Sequence, residues 1–159
     1  MPQAGLIDGL QFARKAEVRQ GWLNLANLPR LAEMPCSTEG LAYQVSGAVN
    51  AEGKPCLRVG ISGLLQLVCQ RCLGPLPHQV VVSVELVLSE NLREIEEADD
   101  DVNRVLATRE MDVAPLIEDE VILSLPIVPR HENCAWAAVA EPEVRESAFG
   151  VLANWKRGH

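Results

Sequence analysis

The stretch "LVCQRCLGPLPHQVVVSVELVLSE", residues 67–90, determines the fold that we predict for this chain. In its second half, apolar side chains occupy every other position and alternate with Ser83, Glu85 and Ser89, which is typical of a β-strand with one buried face. The alternating apolar residues are Val80, Val82, Val84, Leu86 and Leu88. A second extended run, residues 64–68, leads into Cys69. Cys69 and Cys72 therefore lie in a four-residue hinge between two predicted strands.

The same alternation is present upstream of this stretch. Residues 41–49 and 57–61 alternate between apolar and polar side chains, and "NAEGKP" between them has the composition of a turn, so they predict a β-hairpin. Gly63 is predicted to form a bulge or bend before the run into Cys69. The sequence thus predicts an α+β fold. Its small antiparallel β-sheet has three to five strands, open or barrel-like, with a few helices packed on it.

Helical patterns flank the predicted sheet. Residues 10–16 are amphipathic, and residues 18–35 predict a strand followed by a short helix with Pro29 in its first turn. Asp112 is predicted to cap a longer helix, because the apolar residues after it follow helical spacing. This helix is predicted to end before Pro126, since the residue before a proline disfavours the helical conformation.

The chain is predicted to form a single domain over residues 1–159, because this length suffices for one hydrophobic core. Residues 90–103, which begin with "ENLREIEEADDD", predict an acidic flexible loop. The following "DVNRVLATRE" predicts a short strand. Residues 135–148 predict a loop before a short C-terminal helix or tail.

Composition and charge narrow the classes of function. The chain is 48% apolar and 23% charged, and it has no apolar run of the roughly 18 residues that a membrane span requires. The N-terminus has neither a secretory nor a transit pattern, so we expect a soluble, cytoplasmic protein without a membrane partner. The net charge of −8 disfavours a broad surface that binds phosphates.

Five cysteines are an odd number in a chain without an export signal, which favours metal binding or free thiols over disulfides. A Cys-X-X-Cys turn supplies two zinc ligands, and "RHENCA" offers a second pair with the same separation. Gly74 is predicted to close the turn with a positive φ. The predicted ligands of a structural Zn²⁺, which would clamp the end of the sheet to the end of the helix, are Cys69, Cys72, His131 and Cys134.

Two alternatives to zinc remain open from the residues alone. Cys134 could be a small buried hydrophobe and His131 a solvent-exposed side chain. Cys69 and Cys72 could instead form a redox-active dithiol. The second alternative is disfavoured, because "LGPLP" after Cys72 does not start the helix that lowers the thiol pKa in thioredoxin-like sites.

Motifs of the common catalytic sites are absent from the sequence. It contains no Gly-rich phosphate loop, no GxSxG and no HExxH. The acids Glu118, Asp119 and Glu120 are interpreted as stabilising the helix N-terminus. We therefore expect a protein that is not an enzyme and has no small-molecule substrate.

Three segments together resemble the YceD family, the large ribosomal RNA subunit accumulation proteins. They are "LVCQRCLGPLPHQVVVSVELVLSE", "LIEDEVILSLPIVPRHENC" and "FGVLANWKR", and their order in the chain matches the family. The resemblance implies a non-enzymatic cytoplasmic factor for accumulation or maturation of 23S rRNA. The positions that match the family are Cys69, Arg71, Cys72, Glu118, Glu120, Leu125, Pro126, Pro129, Cys134, Phe149, Leu152, Lys156 and Arg157.

The implied process and the negative charge leave two kinds of partner. Either a local basic patch contacts the large-subunit rRNA precursor, or the protein binds basic ribosomal proteins, as a factor or as a holdase. The acidity favours the second. Candidate cations are Arg58, Arg71, Arg130, Lys156 and Arg157, of which Arg71, Lys156 and Arg157 are the predicted partner-binding residues. A thiol oxidoreductase is the alternative function.

Overall fold

The structure, a computed structural model, describes residues 5–135 together with Phe149 and Leu152. The predicted loop at 135–148 lies outside the described residues apart from Ala135, and it stays a prediction.

Seven strands and four α-helices make up the described part of the chain. A 3-10 turn at Leu25–Asn27 precedes the second helix. In chain order the elements are β1 (Leu6–Ile7), α1 (Gly9–Arg14), β2 (Val18–Leu23), α2 (Pro29–Ala32), β3 (Leu41–Val49), β4 (Pro55–Val68), β5 (Pro75–Ser89), α3 (Leu92–Glu96), β6 (Arg104–Leu106), β7 (Met111–Asp112) and α4 (Val113–Ser124).

Five of the strands form one sheet, in the order β2-β3-β4-β5-β6. All neighbours are antiparallel except β5 and β6, which run parallel. Strands β1 and β7 pair separately. The predicted α+β fold with a small, mostly antiparallel sheet is confirmed. Because β2 and β6 are the two edges, the sheet is open and does not have the barrel-like form.

The long hairpin of β4 and β5 positions the cysteine turn. Its strands pair without interruption as far as Val68 and Pro75, so the next residues of β4 enter the turn. The bulge predicted at Gly63 is wrong, since this glycine lies within regular pairing. A Cβ at Gly63 would lie 2.5 Å from Cδ2 of Leu41. The side chain of Leu41 on the neighbouring strand therefore leaves no room for a larger residue at position 63.

The core lies on one face of the sheet, under α1 and α4. Helix α4 buries Val113, Ile117 and Val121, which recur every four residues and so share one face. Helix α1 buries Phe12. Most of the strand residues that are buried alternate along the chain, as predicted, but the last four residues of β5 are buried in succession. The buried strand residues include Leu41, Tyr43, Val45, Leu57, Val59, Ile61, Leu65, Val80 and Leu86.

The ends of α4 follow the predicted signals. The Asp112 carboxylate accepts a hydrogen bond of 3.2 Å from the backbone N–H of Ala114, which caps the helix. The helix ends at Ser124, two residues before Pro126. Pro29 begins α2, as predicted. No helix in the described ranges is long and apolar enough to cross a membrane.

Regular structure interrupts the predicted acidic loop. Helix α3 lies within residues 90–103, and the side chain of Asn91 caps it by accepting a hydrogen bond from the N–H of Arg93 at 2.9 Å. This five-residue helix is not predicted from its acidic sequence pattern. The flexibility of the loop stays a prediction. Strand β6 confirms the short strand predicted after it.

Candidate metal centre

The cysteine turn follows directly on β4. The N–H of Cys69 donates to the carbonyl of Gly74, and the N–H of Leu73 donates to the carbonyl of Cys69, both at 2.9 Å. The residue with a positive φ is Leu73, at 61°. The prediction that Gly74 closes the turn with a positive φ is therefore wrong. A Cβ at Gly74 would lie 3.4 Å from Sγ of Cys72, which is ordinary contact, so the turn does not require glycine there.

The chain after α4 returns to this turn and brings the second pair of ligands. The N–H of Gln70 donates to the carbonyl of Pro129 at 2.8 Å. Two residues further on, the N–H of His131 lies 3.4 Å from Sγ of Cys69. These two contacts dock the segment onto the turn. The fold thus brings together two pairs that are far apart in sequence.

The four predicted ligands form one cluster. Their ligand atoms all lie within 4.8 Å of one another. Sγ of Cys69 lies 3.7 Å from Sγ of Cys134, and Sγ of Cys72 lies 3.3 Å from Nδ1 of His131. Around a tetrahedral Zn²⁺ with standard bond lengths, ligand atoms lie about 3.5 to 3.8 Å apart. The cluster therefore has almost the size that a zinc ion requires.

The imidazole of His131 is oriented for metal binding. Its Nε2 lies 2.9 Å from the carbonyl oxygen of Pro75. Since a carbonyl can only accept, Nε2 carries the proton and donates it. Nδ1 then presents its lone pair towards the cysteines. Metal-binding histidines are commonly held by such a hydrogen bond from the second ring nitrogen, so this geometry disfavours the reading of His131 as a free surface side chain.

The local electrostatic environment stabilises the thiolate form of Cys69. Burial raises the pKa of Cys69, but hydrogen bonds from the backbone N–H groups of Cys72, His131 and Arg71 outweigh it, and the pKa falls to about 5. Burial and the neighbouring Cys69 raise the pKa of Cys134. Three thiolates this close repel one another, so full ionisation of the cluster requires a bound cation.

Three sulfurs and one imidazole nitrogen fit Zn²⁺. This Cys₃His set fills all four positions of a tetrahedral zinc and leaves none open for water or substrate, which is typical of a structural site. Cys69 is fully buried, and all five cysteines are free thiols. Zinc bound here would join the end of β4 to the segment after α4.

Of the three predicted partner-binding residues, the structure describes Arg71 alone. Arg71 is half-buried, and its Nε atom has no hydrogen-bond partner among the described residues. Arg58, a further candidate cation, forms an exposed ion pair with Glu85 at 3.3 Å. Lys156 and Arg157 lie outside the described residues, and their role stays a prediction.

A buried carboxylate connects α4 to α2. The side chain of Glu118 is 3% exposed and pairs with Nε of Arg30 at 2.6 Å. It also accepts the backbone N–H groups of Arg30 and Leu31, at 3.0 and 3.2 Å. The prediction that Glu118 serves its own helix N-terminus is wrong, because its contacts are with α2. The position of Glu118 relative to the apolar residues of α4 does not indicate that this side chain contacts α2.

The comparisons with known proteins bear on the same region. A family model described as "Large ribosomal RNA subunit accumulation protein YceD" matches residues 57–148, more than half of the chain. The matched range contains the β4–β5 hairpin from Leu57 onwards, α4 and the four residues of the cluster. No solved structure matches the chain.

Proposed function

Because the chain belongs to the YceD family of large ribosomal RNA subunit accumulation proteins, we propose that it is a non-enzymatic factor in synthesis, processing or accumulation of 23S rRNA. Family membership implies a role in the accumulation of large-subunit rRNA. The single observation that carries the proposal is the match over residues 57–148. On this proposal the protein works in the cytoplasm, during biogenesis of the large subunit.

The Cys₃His cluster holds a structural zinc in this proposal. Cys69, Cys72, His131 and Cys134 supply the four ligands, and the metal fixes the turn against the segment after α4. Arg71 lies inside the turn, between two of the ligands. Zinc binding would therefore fix the backbone that carries this cation and the exposed Leu73, which are the contacts for a partner.

The direct partner is a basic ribosomal protein. The net charge of −8 attracts a basic protein and repels bare phosphate. Four of the described arginines and lysines already form ion pairs with acids of this chain, namely Arg30, Lys54, Arg58 and Arg104. The chain's 14 arginines and lysines are also outnumbered by its 22 aspartates and glutamates, which disfavours binding to an RNA backbone. Direct contact with the rRNA precursor through Arg71, Lys156 and Arg157 is the second candidate.

A thiol oxidoreductase is the alternative, and the low pKa of Cys69 is the observation that favours it. Against it, Cys69 is fully buried and each nearby group is a suitable zinc ligand. Mild oxidation of the zinc-loaded protein separates the two functions. An oxidoreductase would form a Cys69–Cys72 disulfide rapidly and reversibly with retention of fold, whereas a zinc site would lose its metal and its stability.

Deletion of the gene in the organism that encodes this chain tests the proposed function. We expect the ratio of mature 23S to 16S rRNA to fall and precursors of 23S rRNA to accumulate. A plasmid copy of the wild type or of Cys36→Ser should restore the ratio, and the double variant Cys69→Ser/Cys72→Ser should not. Normal rRNA ratios and precursor levels in the deletion strain would refute the proposal.

A further inference from the structure

A groove lies between α4 on one side and the segment from α3 to β6 on the other. Its volume is about 490 Å³. Ile95, Val102, Ile122 and Leu123 supply apolar lining, and Asp119 and Glu120 lie on the rim. We call it the α4–β6 groove. It is separate from the four ligands of the metal cluster, none of which lines it.

The apolar lining is not part of the core. Helix α4 turns Val113, Ile117 and Val121 into the core, whereas Leu123 is 77% exposed. Across the groove, Val102 is 43% exposed. An amphipathic helix that only covers a sheet would carry polar side chains at such positions. Exposed apolar residues that face one another across a groove, with a charged rim, are typical of interaction sites.

The charge that remains uncompensated at the rim is negative. Arg30 pairs with Glu118 and with Asp119, each at 2.6 Å. Nη2 of Arg104 donates a hydrogen bond of 2.7 Å to the carboxylate of Asp100. Both arginines of the lining are thus neutralised within this chain. Glu120, in contrast, forms no ion pair with any residue that the structure describes.

Glu120 also lies in a partly desolvated position. Partial burial, followed by the nearby charge of Asp119, raises the pKa of its carboxyl group. A carboxylate that has lost part of its water gains more from an incoming cation than a fully solvated one. The exposed acids Glu94 and Glu97, of α3 and its following turn, line a neighbouring pocket that shares Asp100 and Arg104 with the groove, and so add negative charge close to it. The groove therefore complements a cation next to an apolar side chain.

We propose that the α4–β6 groove binds an amphipathic, lysine- and arginine-rich segment of a protein partner. The apolar side chains of the segment occupy the groove between Val102 and Leu123, and its cations pair with Glu120 and the acids of α3. The proposal rests on the proposed function and names the surface that a basic ribosomal protein would contact. An RNA strand does not fit, because its phosphates would face Glu120.

A synthetic peptide tests this surface directly. The probe is a fluorescein-labelled 16-residue peptide with leucines at i, i+3, i+4 and i+7 and with lysines and arginines at the other positions. Its binding to the zinc-loaded full chain is measured by fluorescence anisotropy at two salt concentrations. We expect binding that weakens with salt. A peptide of the same composition, permuted so that the leucines share no face, should bind at least about fivefold more weakly.

Matched variants assign the binding to the groove. Glu120→Lys and Leu123→Ser should each weaken binding by at least about fivefold. The controls are Glu39→Lys, an exposed acid elsewhere, and Val81→Ser, a 75% exposed residue on the outer face of the sheet. Each control should change binding by less than about twofold. Circular dichroism and zinc content should match the wild type in all four variants.

Three outcomes would overturn the proposal: no binding of the peptide, equal binding of the permuted peptide, or equal effects of Glu39→Lys and Glu120→Lys. Displacement of the bound peptide by a 23S-derived RNA oligonucleotide would also overturn it, because the groove would then accept phosphate. None of these outcomes affects the rRNA ratios of the deletion strain. An outcome that overturns the proposal for the α4–β6 groove can therefore be distinguished from one that overturns the proposed function.

Discussion

Leu73 has a left-handed backbone conformation at the exposed tip of the cysteine turn. Its φ is 61°, and its side chain is 64% exposed. An L-residue with a Cβ pays about 1 to 2 kcal/mol for this conformation, which glycine adopts freely. The hydrogen bond from the N–H of Leu73 to the carbonyl of Cys69 fixes the turn in this strained form. An exposed leucine at a strained position supports the contact with a partner that we propose for this turn.

The variant Leu73→Gly should raise the free energy of unfolding by about 1 kcal/mol, since glycine relieves the strain. Leu73→Ala is the matched control. It removes the same exposed side chain but keeps a Cβ at positive φ, and so should give no gain. Urea denaturation of the zinc-loaded proteins measures both changes. Equal effects of glycine and alanine would show that the backbone at Leu73 is unstrained.

At the scale of single residues, the sequence predicted which four side chains come together but not the conformation of the turn. Ligand chemistry and the Cys-X-X-Cys and His-X-X-Cys separations are visible in the sequence. The residue that takes the positive φ is decided by hydrogen bonds, in particular the one from Cys69 to Gly74. Glycine propensity therefore led to the prediction of a positive φ at Gly74, whereas in the structure Leu73 has the positive φ.

Helix α4 is joined to α2 through one buried carboxylate. Glu118 satisfies two N–H groups at the start of α2 and pairs with Arg30. The first N–H groups of a helix have no partner within it, so a carboxylate there supplies both hydrogen bonds and a favourable charge. The contact spans 88 positions in the sequence. Local patterns around Glu118 therefore could not predict it, although the helix itself was predicted from its spacing.

Replacement of Glu118 by glutamine should lower the free energy of unfolding by about 2 to 3 kcal/mol, because Arg30 and the N–H groups lose a charged acceptor. Asp119→Asn is the matched control. It removes the ion pair of the same arginine from a half-exposed carboxylate, and the loss should stay below about 1 kcal/mol. Urea denaturation compares the two. A loss from Asp119→Asn as large as that from Glu118→Gln would contradict the capping role.

Helix α1 lies against β3 at a glycine. A Cβ at Gly47 would lie 2.2 Å from the backbone oxygen of Phe12 and 2.8 Å from Cα of Ala13. Since both atoms belong to the backbone, the helix would have to move away. The amphipathic pattern predicted α1 from its own residues. The need for glycine at position 47 could not be predicted in this way. The alternation in β3 shows which face is buried, but not how closely α1 approaches the strand.

Gly47→Ala should cost about 2 kcal/mol of stability, because the added methyl group displaces α1 from the sheet. Gly60→Ala is the control in the neighbouring strand, where the nearest atom to a new Cβ is 4.0 Å away. It should leave stability unchanged or raise it by less than about 1 kcal/mol, since glycine is a poor strand residue. Thermal unfolding followed by circular dichroism separates the two variants. Similar Tm values for both would argue against close packing of α1.

At the scale of the molecule, the β4–β5 hairpin separates two regions. The cysteine turn lies at one end, after Val68, and the acidic helix α3 follows the other end, after Ser89. The alternation of apolar and polar residues predicted the strands of this hairpin on both sides of the cysteine turn. The parallel pairing of β6 was not predicted, and the choice between an open and a barrel-like sheet was left undecided, because both depend on non-local contacts that leave no periodic signal.

One zinc ion would fix the cysteine turn, at the end of the β4–β5 hairpin, against the segment that follows α4. Coordination also requires deprotonated cysteines, so zinc affinity should fall as the pH is lowered towards the pKa of Cys69, about 5. Below that pH the protonated thiols no longer compensate the charge of the ion. The metal should therefore be released on acidification.

The most direct measurement is the zinc content of the full chain, purified without chelators and analysed by inductively coupled plasma mass spectrometry. We predict about one zinc per chain for the wild type and for the Cys36→Ser control, whose cysteine lies outside the cluster. Cys134→Ser should lower the occupancy, because one of the four ligands is lost. A wild-type content below about a tenth of an equivalent would contradict the account.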